Sequence, residues 1–567
     1  MPRAEAEGVT GRAGRPYRWE RSYPPGLAWD CDLGSGPVYA LLDSAAARYP
    51  GNPCVDFLGR STTYAEAAAM VDRIAAGFRR LGVRRGVRVA LFLPNSPQLV
   101  FTFFAILKAG GTVVNCNPLT GAAELVRQMA DSGAEMIVTL DLAPLYDKAA
   151  RALAATQLRR VVIASIADEL GLLKGSLFRL GHWRDRADIP DDERHIWLRD
   201  LIEAAGSGSS EPARPDEIAV LQYTGGTTGV PKAVMLSHGN LSANARQVSR
   251  WFTKAEPGAE RVLAVLPLTH AFGMTAVMNF AVALGGEIVL LPRFEMSETL
   301  AAIERRRVSI MLGVPSLFHA IASYPKVSRY DLSSLKAAIS GGDALPLPVQ
   351  ARFEAVTGCP LGEGYGLSEA GPVVTCSNPL EGLTRPGSCG LPLPGTVVQI
   401  VSLDDGTSVL PPNERGEICV KGPQVTTGYW KSPDETAAII RDGQLHTGDV
   451  GWMDDDGFLY FTDRLKEVIV VHGYKVYPRM VEDALRTHPA VAEAAVVGIP
   501  DEVRGQSPKG FVVLKPDAAV TVAALQAHLA DMLAPASVPR EIEFRPNLPK
   551  SAMGKVLKSA LEAGPVQ

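Results

Sequence analysis

The 567-residue sequence has no hydrophobic run approaching the ~20 residues that a bilayer-spanning helix requires. Runs such as residues 99–107 are short and read as buried helix. Cysteine is sparse and unpaired. The seven residues Cys31, Cys54, Cys116, Cys359, Cys376, Cys389 and Cys419 include no C-x-x-C pair, and their number is odd. That argues for a reducing compartment and against a disulfide framework or structural zinc. Charge of one sign is lacking too: the net charge of -4 gives no basic excess for nucleic acid. The N-terminus has no apolar signal core, so a cytoplasmic location is expected. No internal repeat of fixed period is present. What remains is an ordinary globular composition, 46% apolar and 21% charged, on a chain long enough for two or more domains.

The chain is organised around Tyr223-Thr-Gly-Gly-Thr-Thr-Gly-Val-Pro-Lys232. Residues 218–222 and 233–236 are apolar and predict two strands joined as a hairpin. Gly225, Gly226 and Gly229 let the tip turn tightly and approach a ligand. Thr224, Thr227 and Thr228 offer hydroxyls and Lys232 a positive charge, a combination suited to polyphosphate. It is not a Walker A loop, whose Gly-Lys pair would fall on Val230 and Pro231. A Gly/Thr loop by itself is equally an ordinary hairpin tip.

Upstream, residues 1–35 are rich in Arg, Gly and Pro and read as a loose tail. Thr63-Tyr-Ala-Glu66 is a capping box that opens a helix, with Met70, Ile74, Phe78 and Leu81 on one face and Gly82 at its end. Strands over 87–93, 112–114 and 136–140 alternate with helices over 97–108 and 124–131, which implies parallel βαβ units. Between 166 and 215, Leu173, Leu177 and Leu180 share a face beside Trp183, flanked by Lys174, Arg179, Arg184 and Arg186. Such a basic amphipathic segment either packs on its own domain or makes peripheral contact with the inner face of a membrane. Gly206-Ser-Gly-Ser-Ser210 is a flexible linker. Later strands are expected over 262–266, 287–291, 308–312 and 335–339.

Further motifs follow in order. Leu266-Pro-Leu-Thr-His-Ala-Phe-Gly-Met274 sets His270 among apolar residues. Ser340-Gly-Gly-Asp-Ala344 lets a flat ligand lie against the backbone of Gly341 and Gly342. Gly362-Glu-Gly-Tyr-Gly-Leu-Ser-Glu369 places Tyr365 between Gly364 and Gly366, with a ring face for stacking on a base. Ser368 can donate to a phosphate, and Glu369 offers a hard oxygen for Mg²⁺. In His446-Thr-Gly-Asp449 the carboxylate can accept from two ribose hydroxyls. Asp463-Arg-Leu-Lys-Glu467 and Leu548-Pro-Lys-Ser-Ala-Met-Gly-Lys555 complete the series.

From about residue 40 this ordered set resembles the adenylate-forming superfamily, which holds acyl-CoA synthetases, carrier-protein adenylation domains and firefly-type luciferases. The stretch 223–241 is similar to that family's phosphate loop. Gly362–Glu369 and Val420-Lys-Gly-Pro-Gln-Val425 are closest to bacterial medium- and long-chain fatty-acyl-CoA ligases. The resemblance implies an α/β fold: a large multi-subdomain N-terminal domain, 1–463, with layered sheets and helices, and a small mobile α+β lid, 464–567. It implies ATP, Mg²⁺ and coenzyme A. Adenine would stack on Tyr365 and lie along Gly341, Gly342 and Asp343. The α-phosphate would meet Ser368, where the family has Thr. Glu369 would hold Mg²⁺; Asp449 and Arg464 would take the ribose. His270, Phe272 and Gly273, with Gly313 and Val314, would border the acyl pocket. Lys466 would be the hinge, Gly473 the passage for CoA, and Lys555 the mobile catalytic lysine acting with Thr224, Lys232 and Glu369. Val470 stands where luciferases carry a Lys, which speaks against light emission.

The expected reaction is attack of a fatty-acid carboxylate on the ATP α-phosphate, giving acyl-adenylate and pyrophosphate, then displacement of AMP by the CoA thiol. Catalysis would rest on positioning and charge neutralisation. Met274, Val277, Met278 and Phe280 add to Phe272 an acyl-facing stretch without Lys or Arg, so an apolar acid tail is expected. Loading of a carrier protein, dicarboxylic or aryl acids, and a non-catalytic nucleotide-binding role are the alternatives. No nucleic-acid partner is expected, and the chain is expected as a monomer or homodimer.

Overall fold

The structure is a computed structural model that describes residues 16–170, 185–203, 211–224, 231–472, 474–501, 504–550 and 556–562. Leu173, Leu177, Leu180, Trp183 and their basic neighbours Lys174, Arg179 and Arg184 lie outside the described residues, as does the stretch 206–210.

Two large, mostly parallel sheets form the body. In the seven-stranded sheet the order is His195–Trp197, Arg160–Ala164, Met136–Leu140, Arg88–Leu91, Thr112–Asn115, Ile218–Thr224, Lys232–Ser237. Every pair is parallel except the last, which is the expected hairpin: Thr224 pairs with Lys232 and Gln222 with Val234. The central strand Met136–Leu140 is buried at every position, as a strand covered on both faces must be. The nine-stranded sheet runs Leu391–Pro392, Val373–Cys376, Leu361–Gly366, Ala337–Ser340, Ile310–Gly313, Arg261–Ala264, Glu287–Leu290, Pro53–Phe57, Arg60–Thr63, parallel throughout its middle.

Local signals hold where they are physically strong. The helix Tyr64–Arg80 starts at Thr63, whose hydroxyl accepts from the Glu66 N–H while the Glu66 carboxylate accepts from the Thr63 N–H. Pro97–Lys108 is helical over the expected residues, capped by Ser96, with its first eleven positions buried. Residues 272–279, read only as a pocket border, form a wide helical turn, Phe272–Asn279, leading into Phe280–Leu284.

The N-terminal stretch corrects the expectation of a loose tail. From Tyr17 onward it is docked by aromatic side chains. Trp19 is fully buried and stacked on Tyr17 at 4.7 Å. The Trp29 indole N–H donates to the Thr396 carbonyl at 2.9 Å, and the Gly395 N–H donates to the Trp29 carbonyl at 2.7 Å. Three aromatic anchors, with Tyr23 buried edge-on against Trp251 as a fourth, outweigh the Gly and Pro content of this short segment.

A third, five-stranded sheet comprises Val397–Val401, Gly416–Lys421, Gln444–Met453, Ile440–Arg441 and Leu459–Arg464. Beyond it is a smaller α+β unit: Ile469–Val471, Tyr474–Val476, Val491–Asp501, Gly505–Leu514 and Glu541–Phe544, with helices Pro478–Thr487 and Val522–Ala530. Its core, including Val481, Leu485, Val496, Val512 and Leu525, is separate from the main one.

Candidate active site

The loops singled out in the sequence emerge at the carboxyl ends of adjacent parallel strands, where open α/β sheets place their ligand crevices. Arg261–Ala264 leads into the His270–Gly273 loop, Ile310–Gly313 into Val314, Ala337–Ser340 into Gly341–Asp343, and Leu361–Gly366 into Ser368 and Glu369. Side chains close the gaps between them. A Cβ on Gly341 would sit 3.0 Å from the Phe272 ring, and one on Gly342 3.6 Å from Val314, so the two sets of loops abut. Gly342 itself has φ +82, which favours glycine. Gly366 is required for a different reason: a Cβ there would lie 2.0 Å from the Pro372 carbonyl.

Lys232, Glu369 and a tyrosine form one face. Residues 428–430 run beside strand Lys232–Ser237: the Met235 N–H donates to the Gly428 carbonyl and the Trp430 N–H to the Ala233 carbonyl. This brings the Tyr429 ring under Lys232, 5.5 Å from its ammonium. The Tyr429 hydroxyl donates to Glu369 Oε1 at 2.6 Å. Lys232 Nζ is 2.7 Å from Glu435 Oε1, and the hydrogen bond it donates holds that carboxyl below its usual range. Neither Tyr429 nor Glu435 was assigned a role from the sequence. Only the strand pairing shows what Gly428-Tyr-Trp430 faces.

In a second group, the Tyr365 hydroxyl donates to Asp449 Oδ2 at 2.8 Å, and Arg464 Nε lies 3.8 Å from Asp449 Oδ1. The Tyr365 ring is less open than its flanking glycines imply. It is buried, and Phe461 lies beside it at 6.2 Å, nearly parallel. Arg479, from the small unit, covers Phe461 at 5.6 Å and reaches Asp343 Oδ1 at 3.8 Å. Beneath them Glu363 is buried; its carboxyl accepts from the Leu345 N–H and, at 3.1 Å, from the Cys389 thiol. Burial pushes its pKa up to about 6. Phe461 and Arg479 carry no spacing signal, and Glu363, though inside Gly362–Glu369, was given no role there.

The remaining residues fall as follows. Thr224 ends its strand half-buried, and Ser368 sits half-buried in the turn with Glu369. His270 is exposed, its Nδ1 accepting from the Phe272 N–H at 3.3 Å. Gly273 and Gly313 are buried. Met274, Val277, Met278 and Phe280 are fully buried in the main core, Phe280 against Phe252 at 5.7 Å. Lys466 is exposed in the short turn Leu465–Glu467. Gly225, Gly226, Thr227, Thr228, Gly229, Gly473 and Lys555 lie outside the described residues. Lys232 can neutralise a polyphosphate, and Asp449 with Arg464 can hold hydroxyl groups.

Comparison with known proteins agrees with this arrangement. The AMP-binding enzyme family matches residues 42–430, and its C-terminal domain matches residues 480–555. A long-chain-fatty-acid–CoA ligase of Bacillus subtilis (strain 168) is 41% identical over 548 residues, 96% of this chain and 97% of that protein. A feruloyl-CoA synthase of an Amycolatopsis species is 36% identical, over 93% of this chain and 97% of that protein. Among solved structures, ATP-bound MatB from Rhodopseudomonas palustris superposes with a TM-score of 0.81 at 27% identity, over 93% of this chain and 98% of that one.

Proposed function

The chain belongs to the AMP-binding enzyme family and is an AMP-forming CoA ligase using ATP and CoA, and we propose that its acid is a medium- or long-chain fatty acid. The single observation that carries the site reading is the face made by Lys232, Tyr429 and Glu369, whose Glu369 follows Tyr365 of the Tyr365–Asp449 pair in one motif. Fatty acid as the substrate is supported by the fatty-acid ligases among the relatives.

In the first half-reaction a carboxylate oxygen bonds to the ATP α-phosphorus and the bond to pyrophosphate breaks. Thr224, Lys232 and the hairpin tip 225–229 hold the phosphates. Tyr365 and the 341–343 backbone hold the base, Asp449 and Arg464 the ribose, and Ser368 the α-phosphate. Lys555 is assigned to neutralise charge on the reacting groups. In the second half-reaction the CoA thiol loses its proton, sulfur bonds to the acyl carbon, and AMP leaves. Glu369 fits Mg²⁺: one oxygen is held by Tyr429, and no hydrogen bond engages the other among the described residues. When bound there, the ion would supply positive charge beside the phosphates. Residues 464–567 act as a lid turning at Lys466, with Gly473 admitting CoA. In this reading the enzyme is a cytoplasmic monomer or homodimer, with peripheral contact at the inner membrane face as the alternative to packing of the basic segment on its own domain.

A turnover panel of octanoate, palmitate, malonate and ferulate, each with ATP, Mg²⁺ and CoA, tests the substrate. The expected result is the highest kcat/KM on a fatty acid, rising with chain length until the pocket ends, by about 0.8 kcal/mol per methylene buried. Ferulate is a specific second reading because of the feruloyl-CoA synthase relative. A preference for ferulate or malonate overturns the fatty-acid assignment.

A further inference from the structure

A second cluster of donor atoms lies beside the ribose wall, unused by the adenylation chemistry. Strands Gly416–Lys421 and Gln444–Met453 pair antiparallel, with Cys419 opposite His446. Glu417, two residues from Cys419, shares its face of the strand. The three side chains are buried and converge. Cys419 Sγ is 3.4 Å from His446 Nδ1, which is 2.9 Å from Glu417 Oε2. Gly448 N–H donates to the other carboxylate oxygen at 3.0 Å and fixes its orientation.

Protons leave one of these contacts weak, because a thiol is a poor hydrogen-bond partner. A single Nδ1 carries either a proton or a lone pair. If protonated, it donates to Glu417 and cannot accept from the Cys419 thiol. If unprotonated, it accepts from the thiol but sets its lone pair against the carboxylate. A cation engages all three groups at once, because sulfur, nitrogen and oxygen then present lone pairs to one point. The three ligand atoms lie within 4.8 Å of one another, so a point equidistant from them is at most about 2.4 Å from each, near the ~2.0–2.3 Å of zinc bonds. Among the described residues no other set of three such side chains converges this closely.

We propose that Glu417, Cys419 and His446 form a site for a thiophilic divalent cation of the zinc type, with water in the fourth position. Binding exchanges the thiol proton for the metal: the proton passes to solvent and sulfur bonds to the ion. Magnesium, which prefers oxygen ligands, does not compete. The absence of C-x-x-C spacing does not exclude this site, because its donors come from two strands. An ion here ties those strands together three residues before Asp449.

The test uses the full chain, stripped with chelator and titrated with Co²⁺ as a spectroscopic stand-in for zinc, without ATP or acid. The expected result is one equivalent bound, with a thiolate-to-cobalt charge-transfer band and the visible bands of four-coordinate cobalt, all displaced by Zn²⁺. Cys419→Ser should abolish the charge-transfer band while melting, metal-free, at the wild-type temperature. If that variant melts lower, Glu417→Gln replaces it, with weakened binding expected. Absence of the band in the wild type, or an unchanged band in Cys419→Ser, overturns the proposal. Either result leaves the CoA-ligase reading untouched.

Discussion

Lys232 and Glu435 sit 2.7 Å apart, and a polyphosphate can use that ammonium only by drawing it from the carboxylate. Glu435→Gln should therefore lower the KM for ATP while leaving kcat nearly unchanged; steady-state kinetics decide, and a raised KM would mean that Glu435 positions the lysine. Glu363 makes a prediction about pH. Burial raises its pKa to about 6 from 4.5, so the folded state holds a proton that the unfolded chain has lost. That stability is present below pH 4.5 and is lost as pH rises through 6, by about 2 kcal/mol. Glu363→Gln removes the dependence. In urea melts its stability relative to wild type should improve by that amount between pH 4.5 and 7, and parallel curves would contradict the assignment. Gly366→Ala forces a methyl to within 2.0 Å of the Pro372 carbonyl, and should cost ~1–3 kcal/mol by the same measurement.

At the scale of elements, the N-terminal segment contributes an anchor. Trp19 is fully buried against Gly457, so Trp19→Ala should destabilise by ~3–5 kcal/mol in thermal or urea melts. Only a surface-like effect would contradict its role. This segment also shows what the sequence makes legible. Period and capping chemistry are local, so Thr63–Glu66 and Pro97–Lys108 could be read directly. Docking of Trp19 and Trp29 depends on partners hundreds of residues away and carries no local mark. The site divides the same way. Glu369, Asp449 and Lys232 stand in recognisable motifs. Tyr429, Phe461, Arg479 and Glu435 join them only through strand pairing and the contact of the small unit with the large one.

For the whole molecule, the central claim is that one crevice runs two half-reactions in sequence through an acyl-adenylate, and that Lys555 serves only the first. Lys555→Ala should slow the overall reaction ~10²–10³-fold, yet convert supplied acyl-adenylate and CoA at nearly the normal rate. The most direct measurement is exchange of labelled pyrophosphate into ATP, with Mg²⁺ and palmitate present and CoA absent. The account predicts exchange that requires the fatty acid, proceeds without CoA and falls with Lys555→Ala. Exchange that needs CoA, or fatty-acid activation that releases ADP and phosphate instead of AMP and pyrophosphate, would contradict it.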